Sequence, residues 1–114
     1  MNDHVENSGF VHHKLKVYRE ALGLLTMMHR QRIGSADLRR QGERAMASVV
    51  LNIAEGATLE GAARKRHYRI ARASLVEAVA AYEVALALGQ RVDLREIHRR
   101  GQYVGAMLTK MIMQ

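Results

Sequence analysis

The sequence predicts an all-α protein, an antiparallel up-down-up-down bundle of four helices. Three observations lead to this prediction. The 114 residues contain no proline, few β-branched residues, and abundant Ala, Leu, Met and Arg, which favour helices. Apolar residues recur at spacings of three and four along four separate segments. Glycines and short polar clusters separate these segments, and such short connections favour antiparallel neighbours.

The first helix is predicted to run from Leu15 to Arg30. Its apolar stripe includes Leu15, Tyr18, Leu22 and Leu25, which recur at helical spacing. The helix ends before Ile33-Gly34-Ser35. Ser35 or Asp37 then caps the second helix, because either side chain can accept a hydrogen bond from a free first-turn N–H group.

The second helix carries an apolar stripe and ends at a glycine. The stripe consists of Leu38, Ala45, Val49 and Ile53. Gly56 is a stop signal. The third helix then begins at Gly61 or Ala62 and extends to Leu88, a length of about 40 Å at about 1.5 Å per residue. Gly89 fits its C-terminal cap.

Residues 73–88 of the third helix contain only three strongly polar side chains, Ser74, Glu77 and Glu83. A bundle helix needs one apolar face, so a helix that is apolar almost all round is expected to bury a second face against another subunit. The alternative is that alanine explains the pattern, since an alanine-rich surface is tolerated without a partner.

The last helix is predicted to begin at Asp93. Its stripe consists of Leu94, Ile97, Val104, Leu108 and Met111. Gly101 and Gly105 interrupt this helix, and we expect the pair to let another backbone approach closely. Each glycine costs up to about 1 kcal/mol of helix propensity relative to alanine.

A single domain over residues 13–114 is expected, preceded by a flexible N-terminal segment over residues 1–12. Without cysteine the fold depends on packing rather than disulfides. Residues 1–9 do not fit a signal peptide, and the longest apolar region, 78–88, is well short of the roughly 20 residues that span a bilayer. A soluble cytoplasmic protein with no membrane partner is predicted.

A cationic block in the third helix supplies five of the seven net positive charges of the chain. Its members are Arg64, Lys65, Arg66, Arg69 and Arg72. Lys65, Arg69 and Arg72 form one stripe at spacings of four and three. The second and third helices are consecutive, so we expect three further arginines of the second helix to share this face near the connection. They are Arg39, Arg40 and Arg44.

The cationic block indicates a polyanionic partner, because clustered Lys and Arg neutralise phosphates and release counterions. The predicted function is therefore non-enzymatic binding of RNA or DNA through phosphate contacts. One alternative is an ordinary solvated face. Another is an oligomeric protein-interaction scaffold without a nucleic-acid ligand, in which the basic face docks an acidic protein surface.

Four polar side chains interrupt apolar helix stretches and need partners if they are buried. They are Asn52, Glu55, Ser74 and Glu77. We expect a structural network in which Glu55 accepts from Arg44, Tyr18 or Ser74 across the bundle. The alternative is a carboxylate pair at an active site or metal centre, but no nucleophile or base accompanies the pair.

The motifs of bundle enzymes are missing from the sequence. A di-iron site requires Glu-x-x-His on two helices, whereas the nearest approach is Glu96-Ile97-His98, with its groups two apart. Gly56 and Gly61 lack the Gly-Lys-Ser/Thr ending of a phosphate loop. We therefore predict no enzyme, no cofactor and no metal site.

The second and third helices also resemble a known family. Residues 48–56 read Ser-Val-Val-Leu-Asn-Ile-Ala-Glu-Gly, and Ser74-Leu75-Val76-Glu77 follows the basic block. This pattern resembles the four-helix bundle proteins encoded in intervening sequences of 23S rRNA genes. The likeness extends from Leu15 to Gly89, and its most specific element is residues 52–56. Many family members have a proline before this motif, where this chain has Val50.

The resemblance implies an antiparallel four-helix bundle that assembles as a ring-shaped homopentamer with a central channel. A relative of similar fold is the accessory protein of diversity-generating retroelements, a basic pentameric barrel that binds a reverse transcriptase and nucleic acid. Fold alone does not transfer that role. The partners it suggests are further copies of the chain, RNA or DNA, and a reverse transcriptase or other acidic protein.

Overall fold

Four α-helices make up most of residues 9–114, the part of the chain that the computed structural model describes. They are α1 (Lys16–His29), α2 (Ala36–Ala57), α3 (Gly61–Ala87) and α4 (Leu94–Met113). A 3₁₀ turn, Val11–Lys14, precedes α1. No strand occurs within the described residues, so the all-α prediction is confirmed. Of the N-terminal segment predicted to be flexible, residues 1–8 lie outside the described part.

The helix ends follow local capping chemistry. Ser35 caps α2, because its side chain accepts a hydrogen bond from the Leu38 backbone N–H at 3.3 Å. Asp93 caps α4 in the same way, accepting from the Glu96 N–H at 3.3 Å. Gly89 follows α3 with a φ of +88°, a conformation that glycine adopts without steric cost. The predicted bounds of the first three helices and the predicted start of the last lie within one or two residues of the observed ones.

The four helices follow one another around a square. Helix α1 packs on α2 and α4, and α3 packs on the same two helices, whereas the backbones of the diagonal pairs stay farther apart. The largest fully buried side chains come from all four helices and meet along the axis of the bundle. They are Leu24, Met28, Met46, Val49, Ile53, Tyr82, Ile97, Val104 and Leu108.

Two glycine–tyrosine contacts set the register of α2 against α3. A Cβ atom at Gly42 would lie 2.7 Å from Cε2 of Tyr82, and one at Gly56 would lie 2.7 Å from Cε1 of Tyr68. Both tyrosines are buried. The two contacts are 14 residues apart on each helix, or about 21 Å. At both positions a side chain larger than that of glycine would collide with the tyrosine ring, so the two contacts fix how α2 lies along α3.

The two glycines of α4 admit side chains of α3. A Cβ atom at Gly101 would meet Cγ2 of Val79 at 3.3 Å, and one at Gly105 would meet Cδ2 of Leu75 at 3.4 Å. The expectation that this pair lets a second backbone approach is wrong, because within the described residues the nearest atoms belong to these branched side chains.

Candidate nucleic-acid interface

Two members of the cationic block stabilise the bundle through hydrogen bonds. The Arg64 guanidinium donates from Nε to the Gly56 carbonyl oxygen at 3.2 Å and from Nη2 to that of Ala57 at 3.4 Å. It adds a second donor to the Gly56 carbonyl, which also accepts from the Leu59 backbone N–H at 3.0 Å, and it supplies a donor to the Ala57 carbonyl at the last residue of α2. About two turns further along α3, Arg72 donates from Nη1 to the Thr109 hydroxyl of α4 at 3.3 Å.

The other three members of the block are Lys65, Arg66 and Arg69. None of them forms an ion pair with another described residue. Arg66 and Arg69 are exposed, and Lys65 is half-buried. We call these three residues the α3 basic face. Their charges have no counter-charge among residues 9–114 and are available to an external anion.

The three arginines of α2 do not join the α3 basic face. Arg39 and Arg40 lie in the first turns of α2, whereas the connection to α3 follows its last turn. Arg40 precedes Ala57 by 17 residues, a separation of about 25 Å along the helix. Arg40 also pairs with Asp37 at 2.7 Å. The prediction that these arginines share a face near the connection is therefore wrong.

Arg44 lies midway along α2, where it lines a surface groove with Arg40 and Glu77. Glu77 is exposed and has no hydrogen bond to the other polar residues with which it was grouped. Asp37 lines the same groove and pairs with Arg40, and Glu77 forms no ion pair with another described residue. Glu77 therefore lies outside the predicted polar network.

A chain of hydrogen bonds links α2 to α3 through Ser48, Asn52 and Ser74. The hydroxyl oxygens of Ser48 and Ser74 lie 2.9 Å apart. Asn52 donates from Nδ2 to the Ser48 carbonyl oxygen at 2.9 Å and contacts its hydroxyl at 3.2 Å. Because all three side chains are half-buried, these bonds satisfy groups that have partly lost contact with water.

His67 extends the network toward solvent. Its Nδ1 atom lies 2.9 Å from Oδ1 of Asn52 and 3.4 Å from a carboxylate oxygen of Glu55. Glu55 thus contacts His67, and not Arg44, Tyr18 or Ser74 as expected. The sequence did not single out His67, because its proximity to Asn52 depends on the register of α2 against α3.

The outer surface of α3 changes character along its length. Beyond Arg72 it exposes Val76, Val84 and Leu88, which are 67%, 46% and 68% exposed. Alanines at positions 73, 80 and 87 complete this strip at helical spacing. We call these six residues the α3 apolar strip. It borders directly on the α3 basic face.

Tyr82 carries a buried hydroxyl group with no hydrogen-bond partner among the described residues. Burial raises the pKa of this group to about 12, and the nearby Glu43 carboxylate contributes to the rise. Burial likewise raises the pKa of Tyr68, although the Arg64 charge opposes it. Both hydroxyl groups stay protonated at neutral pH.

Within residues 9–114, no three His, Asp or Glu side chains come together in a way that would hold a metal ion. In the same part of the chain, every helix falls short of the length or the apolar character needed to cross a bilayer.

No protein-family model matches the chain, and a search of curated proteins finds no significant relative. The surface of α3 carries unpaired cations and exposed apolar side chains among the described residues.

Proposed function

We propose that this is a non-enzymatic nucleic-acid-binding protein whose α3 basic face contacts phosphate groups of RNA or DNA. The observation that carries the proposal is the absence of an internal counter-charge for Lys65, Arg66 and Arg69 among the described residues. Arg64 and Arg72 flank this face and add to its potential. The resemblance extends the proposal to an accessory role in an RNA or reverse-transcriptase complex.

Binding by these residues costs little within the protein. A cation that already pairs with a carboxylate must give up that partner, whereas an unpaired one exchanges only water and counterions for a phosphate. Release of counterions from the nucleic acid then favours association, most strongly at low salt.

The contacts are expected to be to the backbone of the nucleic acid and not to its bases. Phe10 and four tyrosines are the only aromatic residues besides histidines, and Tyr68 and Tyr82 are buried. Tyr103 is exposed, but it lies on α4, where the Lys16 ammonium contacts its ring. Stacking of successive bases needs a row of exposed rings, so little sequence preference is expected.

The test is fluorescence anisotropy with labelled RNA and DNA at low salt. The test variant changes Lys65, Arg66 and Arg69 to glutamine, which leaves the helix-capping Arg64 and the Arg72–Thr109 bond in place. The control variant changes Lys16, Arg95 and Lys110 to glutamine. These three cations are also exposed but lie on α1 and α4. Both variants lose the same charge.

We expect the test variant to bind at least about tenfold more weakly, and the control variant to change by less than about threefold. Equal losses in the two variants would mean that net charge alone drives binding. No binding by the parent at low salt would refute the proposal and leave the oligomeric scaffold, with an acidic protein as its partner.

Self-association through the α3 apolar strip is the second proposed function. The specific observation is that Val76, Val84 and Leu88 remain exposed on the same helix whose other face fills the core. Contiguous apolar surface of this kind is typical of protein contact sites. The resemblance implies a homopentamer, in which the strip of each copy would be covered by a neighbour.

A further inference from the structure

A groove of about 870 Å³ lies at the end of the bundle where α1 connects to α2. The connecting residues and the first turns of α2 form its walls. Four arginines line it: Arg30, Arg32, Arg39 and Arg40. Arg30 and Arg32 were not among the predicted site residues, because the first lies at the end of α1 and the second in the connection, far in sequence from the cationic block.

Most of the positive charge in this groove is unpaired. Arg30, Arg32 and Arg39 are exposed and form no ion pair with another described residue. Arg40 pairs with Asp37 at 2.7 Å. Glu43 is the one carboxylate among the described residues that line the groove, and it contacts His29 at 2.7 Å.

The groove is separate from the α3 basic face. Arg39 and Arg40 lie in the first turns of α2, whereas the α3 basic face lies beside the last turns of α2. About 25 Å along the α2 axis therefore separates the groove arginines from the α3 basic face. At moderate salt this distance exceeds the Debye length of about 10 Å. Charges at one end therefore act almost independently of charges at the other.

We propose that this groove is a second anion site, which binds a phosphate-bearing ligand. Guanidinium groups suit phosphate because their N–H groups match two of its oxygens at once. Three unpaired arginines around one concave surface can engage several phosphate oxygens together. The phosphates come either from a nucleic-acid strand or from a free polyphosphate. In the first case, one molecule contacts two separate segments of nucleic acid.

Two probes distinguish these sources: inorganic triphosphate, measured by titration calorimetry, and a short single-stranded DNA, measured by anisotropy. The groove variant changes Arg30, Arg32 and Arg39 to glutamine. The control is again the variant at Lys16, Arg95 and Lys110, which loses the same charge on α1 and α4. Circular dichroism verifies that both variants keep the helical content of the parent.

We expect the affinity of the groove variant for at least one of the two probes to fall by about tenfold or more. The affinity of the control variant should change by less than about threefold. A loss confined to triphosphate identifies a free polyphosphate, and a loss with DNA identifies a strand. Unchanged affinity for both probes, or losses no larger than in the control, would overturn the proposal. The variant at Lys65, Arg66 and Arg69 is measured with the same probes. The proposal for the groove and the proposal for the α3 basic face can therefore fail independently.

Glu43→Gln supplies a test in the opposite direction. It removes the negative charge that faces the arginines, so the affinity for the probe that binds the groove should rise by about threefold. Loss of folding cannot tighten binding. Unchanged or weaker affinity in this variant would contradict a ligand seated beside Glu43.

Discussion

The two halves of α3 make the same kind of packing contact on the side that faces the core, but they expose surfaces of different chemistry to solvent. In each half a tyrosine, Tyr68 or Tyr82, packs against a glycine of α2. Outward, the first half presents the cations of the α3 basic face, and the second half presents the α3 apolar strip. One helix thus combines a repeated packing contact with two different surfaces.

This difference separates the residues that specify the fold from those that are available to partners. The inner tyrosine rings lie so close to α2 that a Cβ atom at Gly42 or Gly56 would be 2.7 Å from a ring carbon, so volume decides what fits there. The cations of the α3 basic face form no ion pair with another described residue, and Val76 and Val84 are exposed. Changes on the inner side should therefore alter stability, and changes on the outer side should alter binding or assembly.

The largest effect is expected for Gly42→Ala and Gly56→Ala. The new methyl group would lie 2.7 Å from a carbon of a buried, rigid tyrosine ring, so the ring or the helices must shift. Overpacking costs roughly 1–3 kcal/mol, offset by up to about 1 kcal/mol of improved helix propensity. Because the sites are about 21 Å apart, the two losses should add.

Urea unfolding of the single and double variants measures these losses. Gly23→Ala is the matched control, since the nearest atom to its Cβ position is the end of the Arg100 side chain at 3.7 Å. If Gly42→Ala and Gly56→Ala were as stable as this control, the glycine–tyrosine contacts would not limit the side-chain volume on α2.

The second effect concerns assembly. Changing Val76 and Val84 to glutamate places charges in the centre of the α3 apolar strip, so self-association should weaken by at least about tenfold, because a buried unpaired charge is costly. Stability of the single chain should change by less than about 0.5 kcal/mol, as for other surface substitutions. Light scattering coupled to size exclusion measures the assembly state.

A control for this variant changes Arg66 and Arg69 to glutamate, which introduces the same two residues on the neighbouring part of α3. We expect it to leave the assembly state unchanged. A parent protein that is monomeric at all concentrations, or a valine variant that assembles like the parent, would refute self-association through the strip.

A smaller effect is expected for Tyr82→Phe. The Tyr82 hydroxyl is buried without a partner among the described residues, and burying such a group costs free energy. Removing it should raise the free energy of unfolding at neutral pH by about 1 kcal/mol, as measured by urea unfolding. A loss of stability would show that the hydroxyl group has a stabilising contact.

The same residue predicts a dependence on alkaline pH. Burial raises the pKa of Tyr82 from the ordinary tyrosine value of 10.0 to about 12 in the folded protein. As pH rises above 10, the unfolded chain loses this proton first, which favours unfolding. The parent should lose about 1 kcal/mol more than Tyr82→Phe by about pH 11. Parallel stability curves for the two proteins would contradict the raised pKa.

The helix bounds could be predicted because capping and apolar spacing are local. Ser35, Gly89 and Asp93 act within a turn of their own positions, so neighbouring residues are sufficient to identify them. The placement of Arg39 and Arg40 could not be inferred in this way. Proximity in sequence suggested a shared face with the cationic block, whereas the length of α2 carries these arginines to the opposite end of the bundle.

The roles of individual cations likewise depend on tertiary contacts. Arg64 and Arg66 are two residues apart and look equivalent in the sequence, but Arg64 donates to carbonyl groups at the end of α2 and Arg66 has no partner among the described residues. The contact of His67 with Asn52 depends in the same way on the register that the glycine–tyrosine contacts set. A single sequence does not specify that register.

The smallest expected change in the free energy of unfolding is for Arg64→Gln, and it tests whether Arg64 and Arg66 have separate roles. Arg64→Gln should lower the free energy of unfolding by about 0.5–1 kcal/mol, because the Ala57 carbonyl loses the Arg64 donor and the Gly56 carbonyl keeps only its backbone donor. Its matched partner, Arg66→Gln, should leave stability unchanged and weaken nucleic-acid binding instead. Urea unfolding and anisotropy on both variants measure the two effects. Identical behaviour of the two variants would contradict separate roles.

The most direct test of the central claim is the salt dependence of DNA affinity in the parent and in the variant at Lys65, Arg66 and Arg69. For duplex DNA, each phosphate contact contributes about 0.9 to the slope of log affinity against log salt concentration. We expect the slope of log affinity against log salt concentration to be shallower in the variant than in the parent by about 2 to 3. An unchanged slope would show that the α3 basic face does not contact phosphates.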